Sequence, residues 1–97
     1  MSSHPPAYAV PFWIDRENAP RLYRVVNLGD EDVRGFRVSL LGPGYLVPVF
    51  IPLLPPGSAA TLTLLGLETG DDPARSTVAV VSWLRPDGEE YLWRFSF

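Results

Sequence analysis

Eleven prolines and eight glycines are spread along this 97-residue chain, so few windows of ten residues escape a helix breaker. A proline inside a helix removes a backbone hydrogen bond and clashes with the preceding turn, and a glycine there loses more conformational freedom than any other residue. Helices therefore have little room. The stretches between breakers are rich in Val, Phe, Trp, Tyr, Leu and Thr, and much of this alternates with a period of two residues, the pattern of strands with one face buried.

Seven strands are predicted. The first runs from Tyr8 to Ile14, with Pro11 marking it as an edge or a bulged strand, because proline cannot donate to a ladder. The second covers Arg21 to Leu28, where Leu22, Val26 and Leu28 share a face with Arg24 and the alternation is imperfect. In the third, Phe36, Val38 and Leu40 oppose Arg37 and Ser39, so a slip of one residue would bury an arginine. A fourth runs from Tyr45 to Ile51, with Pro48 again pointing to an edge, and Leu53 to Ser58 reads as a connecting turn. Ala60, Leu62 and Leu64 alternate with Thr61, Thr63 and Leu65 in the fifth. The sixth, Thr77 to Leu84, is apolar on both sides. It is joined to the seventh by Arg85-Pro86-Asp87-Gly88, where proline presets φ and glycine accepts the left-handed position. The seventh sets Tyr91, Trp93, Phe95 and Phe97 against Leu92, Arg94 and Ser96. A short N-terminal tail (residues 1–7), expected to be mobile, precedes one domain over 8–97. Seven short strands in about a hundred residues predict an all-β, immunoglobulin-like, two-sheet antiparallel sandwich.

Short motifs agree with that class. Val25-Val26-Asn27-Leu28-Gly29, Val33 to Val38, Leu54-Pro55-Pro56-Gly57-Ser58 before a Thr/Leu strand, and Val80-Val81-Ser82-Trp83 followed by Pro86-Asp87-Gly88 together resemble bacterial immunoglobulin-like modules of the fibronectin type III and CARDB-like kind. The resemblance implies the sandwich fold and roles in adhesion, scaffolding or appendage assembly.

Composition narrows the chemistry. Eleven acids against eight bases give a formal charge of −3, which removes the general attraction to a phosphate backbone, so no nucleic-acid partner is expected. The absence of cysteine rules out disulfides, thiolate nucleophiles and thiolate metal sites, and points to the cytoplasm. The first ten residues lack the basic and apolar regions of a signal peptide. The longest apolar run, Tyr45 to Pro56, carries four prolines and cannot span a bilayer as a helix, so no membrane insertion is expected.

No enzyme is predicted. The single histidine, His4, lies in the proline-flanked tail, away from any candidate nucleophile, and no glycine-rich phosphate loop is present. Neither a cofactor nor a metal is expected on the leading reading. The alternative is a Ca²⁺-dependent binder, since in this topology Asp30, Glu31 and Asp32 share an end of the sandwich with Asp87, Glu89 and Glu90, and a hard cation takes several oxygen ligands from such loops. Asp15, Glu17, Asp71 and Asp72 would gather at the opposite end. A stand-alone piece of an adhesin-like extracellular protein is a further alternative.

The leading reading is a non-catalytic module that binds a protein partner or itself. If Phe36, Val38, Leu40, Val81, Trp83, Tyr91, Trp93 and Phe95 point inward, then Arg37, Val78, Val80, Leu92 and Arg94 share the outer face of one sheet. Aliphatic residues with arginine beside them have the composition of an interface.

Overall fold

The computed structural model describes residues 9–66 and 77–97. The tail with His4, Tyr8, and the polar loop 68–75 with Asp71 and Asp72 lie outside the described residues. Among the described residues there are eight strands and no helix: β1 (Phe12–Asp15), β2 (Leu22–Asn27), β3 (Val33–Leu41), β4 (Tyr45–Leu46), β5 (Val49–Leu54), β6 (Ala59–Leu65), β7 (Val78–Leu84) and β8 (Glu90–Ser96). Among these residues no helix is therefore long and apolar enough to cross a membrane. The strands form two antiparallel four-stranded sheets, in the orders β1-β2-β6-β4 and β5-β3-β7-β8.

Alternation builds the interior. The first sheet turns Ile14, Tyr23, Val25, Leu46, Ala60, Leu62 and Leu64 inward, and the second turns in Val33, Phe36, Val38, Leu54, Ala79, Val81, Trp83 and Phe95. Phe12 reaches across from the first sheet, meeting Phe36 and Trp83 edge-on at centroid distances of 5.7 and 4.9 Å and stacking on Trp93 at 6.0 Å. Fully burying one such side chain contributes roughly 1.5–3 kcal/mol, so this shared interior holds the layers together.

Three expectations are corrected. The run from Tyr45 to Ile51 is two strands: β4 pairs with β6 in one sheet, the chain crosses at Val47 and Pro48, and β5 pairs with β3 in the other. Val47 still donates its N–H to the Thr63 carbonyl, while Pro48 has none to donate, and the ladder changes partner there. Leu53 and Leu54 belong to β5 rather than to a turn, and Leu54 is core. Leu40, Tyr91 and Trp93 are half-buried at the margin of the core, not inside it.

A buried amide ties down one end of the sandwich. Asn27, completely buried, donates through Nδ2 to the Glu31 and Leu54 carbonyls and accepts the Gly29 N–H on Oδ1. Its backbone N–H donates to Ser58 O and its carbonyl accepts from Gly57 N–H, so one residue fixes the β2–β3 loop, the end of β5 and the β5–β6 turn. Burial without cost requires such saturation.

Two glycines set strand geometry. Gly35, at φ +58°, forms a bulge in β3: Arg34 faces Leu84 and Arg37 faces Ser82, so β3 carries one extra residue relative to β7. Gly88, at φ +86°, closes the β7–β8 hairpin after a turn in which its N–H donates to Arg85 O.

Candidate functional site

The pairing register assembles the outer face of the second sheet row by row. Phe50, Arg37, Ser82 and Leu92 lie side by side across all four strands; Ser39, Val80 and Arg94 form the next row; Leu41, Val78 and Ser96 the one beyond. On the other side of the first row, Leu53, Arg34, Leu84 and Glu90 align. All five residues singled out from the sequence, Arg37, Val78, Val80, Leu92 and Arg94, thus stand on one face. Val78 and Val80 are half-buried, Arg37 and Arg94 exposed, and Leu92 is 68% exposed.

The structure adds large apolar groups that the alternation did not flag. Phe50, 58% exposed, sits under the Arg37 guanidinium, whose carbon lies 5.3 Å from the ring centroid. Leu41, Leu53 and Leu84 are exposed on the same side. Phe50 went unnoticed because two prolines break up its segment, and only the pairing of β5 with β3 shows which way it points. A cation over an aromatic face at an exposed site contributes about 0.5–1 kcal/mol, which favours the ring lying beneath the guanidinium.

At the Asn27 end of the molecule the β2–β3 loop meets the β7–β8 hairpin, as the sequence reading of the acidic loops required. An arginine stands between them. Arg85 donates from Nε to Glu31 Oε1 at 2.9 Å and from Nη2 to Oε2 at 3.3 Å, a two-pronged pair in which both side chains are about a quarter exposed. Asp87 accepts the Glu89 N–H on its own side chain, and Asp32 lies 3.9 Å from Arg34. Among the described residues no three His, Cys, Asp or Glu side chains converge as metal ligands would. Beside the pair runs an open cleft of about 590 Å³, lined chiefly by Pro11, Phe12, Leu28, Asp30, Glu31 and Arg85. It offers apolar contact and one ion pair already made. Trp13 lies exposed on the outer face of the other sheet, away from the remaining tryptophans.

Comparison with protein-family models, with curated proteins and with solved structures finds no match to this chain.

Proposed function

We propose that this chain is an immunoglobulin-like module that works without catalysis, through protein contacts made by the outer face of β5-β3-β7-β8. Strand order supports the first half: β1, β2 and β6 in one sheet and β3, β7 and β8 in the other correspond to strands A, B, E and C, F, G of that sandwich, with β5 taking the place of C′. β4 lies beside β6 where a D strand would, yet precedes β5 in the chain.

The observation that carries the second half is the outward row of Phe50, Arg37, Ser82 and Leu92 with Leu84 and Val80 beside it. Folding this chain leaves Phe50, Arg37, Leu84 and Leu92 exposed, with Val80 half-buried and Ser82 buried between them. Exposed aliphatic and aromatic groups interspersed with arginine and short of acids match the core of a protein interface more closely than ordinary surface.

The test is retention of cellular proteins on immobilised wild type, Phe50→Arg, Val80→Arg and, as a control on the opposite sheet, Trp13→Arg. The expected result is a set of proteins held by wild type and the Trp13 variant and lost from the other two. An identical set on all four columns would remove the face as the contact site.

A further inference from the structure

We infer that two copies of this chain join edge to edge through β8, antiparallel, with the two-fold axis at Leu92. The inference takes from the reading above that this sheet is the contacting one, and adds where, to what, and in which register.

The four sheet edges are not alike. β1 has four residues and follows Pro11; β4 has two; β5 has six but contains Pro52 and follows Pro48. Short strands and prolines are the ordinary means of keeping an edge from pairing with another chain. β8 has neither: its seven residues, Glu90–Ser96, include no proline, glycine or lysine.

The ladder fixes which backbone groups of β8 are on offer. Arg85 N–H donates to Glu89 O and Phe97 N–H to Thr77 O, so the odd-numbered residues of β8 turn their backbone groups toward β7. By the alternation of an antiparallel ladder, Glu90, Leu92, Arg94 and Ser96 turn theirs away from it. Ser96 is engaged already, its carbonyl accepting from Arg16 Nη2 at 2.7 Å. Among the described residues nothing engages the other three outward positions, and their centre is Leu92.

A symmetric antiparallel ladder that uses all three must therefore set Leu92 against Leu92 of the second copy, and Arg94 against Glu90 in both directions. Charge agrees with this geometry independently. Each arginine on the edge meets a carboxylate, with an apolar pair between, while the half-buried Tyr91 and Trp93 come opposite each other on the inner side. Within one chain four residues of extended strand set the Glu90 and Arg94 Cα atoms roughly 13 Å apart, much farther than directly opposed residues of paired strands. Stacking two copies face to face lacks this match: the outer face carries Arg34, Arg37 and Arg94 against Glu90 alone, and would set arginines against arginines.

Edge pairing alone buries little surface, so association is read by light scattering and sedimentation from about 1 µM to about 1 mM, where small interfaces populate. Wild type is expected to rise from monomer to dimer mass over that range. Arg94→Glu, which opposes two carboxylates, should stay monomeric with an unchanged thermal transition, and the exchange Glu90→Arg/Arg94→Glu should restore the dimer. Should either variant fold poorly, a single cysteine decides: the chain has none, and opposite residues of a hydrogen-bonded pair lie about 5.5 Å apart, within reach of a disulfide. L92C should oxidise to a covalent dimer and L41C, at the far side of the same face, should not. The proposal is overturned by a wild type that stays monomeric throughout, by a folded Arg94→Glu that still associates, by an exchange that fails to restore mass, or by equal cross-linking at the two cysteines. None of these bears on the retention experiment with Phe50→Arg, so edge and face stand or fall separately.

Discussion

Outside the first sheet, Thr61, Thr63 and the Arg24–Asp15 ion pair, whose closest atoms are 3.5 Å apart, stand between two exposed rings on the outer strands, Trp13 and Tyr45. At equivalent places in the pleat of the second sheet stand Phe50, Leu84 and Leu92. The inward faces share one core and obey the same alternation, and both outward faces are free of it. Core packing accounts for Trp83 and Tyr23 in the same terms, but it does not account for an exposed phenylalanine and four exposed leucines gathered on one side of the second sheet. The two outer faces therefore differ in arrangement, with two separated rings around an ion pair on the first sheet and a contiguous apolar group beside arginines on the second.

That contrast can be broken or sharpened by stability measurements, following tryptophan fluorescence in urea. The largest effect is expected where the layers meet: Trp83→Ala and Tyr23→Ala should each cost about 3–5 kcal/mol, because each leaves a cavity in the common core. A loss below about 1 kcal/mol for either would show that the two sheets do not share the interior described. Next comes the polar staple. Asn27→Ala should cost about 2–4 kcal/mol, since it strands the Leu54 and Glu31 carbonyls and the Gly29 N–H together. Smallest are the outward positions, where Phe50→Thr, Leu92→Thr and, on the other sheet, Thr61→Val should each change stability by less than about 0.5 kcal/mol. A loss above about 2 kcal/mol at Phe50 would mean that the second sheet's outer face serves folding, and the contrast would dissolve.

Much of this was legible in the residues. Clean alternation in Ala60 to Leu65 and in Tyr91 to Phe97, and the Pro86-Asp87-Gly88 turn, gave β6, β8 and their faces, and placed the five candidate contact residues together. Less was legible where alternation continues while the partner changes. Tyr45 to Ile51 reads as one strand because a period of two reports a side chain's face and not its sheet; only the pairing reveals the crossing at Pro48. Asn27 looked like a polar residue in an uneven strand, since nothing local announces that its amide meets carbonyls contributed by residues 31 and 54. Phe50 and Leu84 were missed for the same reason, their direction being set by neighbours far away in the chain.

The bulge at Gly35 has a consequence for insertions and deletions. Between the pairs Arg34–Leu53 and Phe36–Ile51 there is one residue on each strand, Gly35 and Pro52, so the surplus residue of β3 is matched in β5 and has no counterpart in β7. Removing both at once would shorten two neighbouring strands by the same step, leaving Val33 and Leu54 interior and Arg34 and Leu53 exterior. Loss of one alone would set β3 and β5 out of step with each other. At this spot, length is a property of the pair of strands, and a change tolerated in both would be harmful in either.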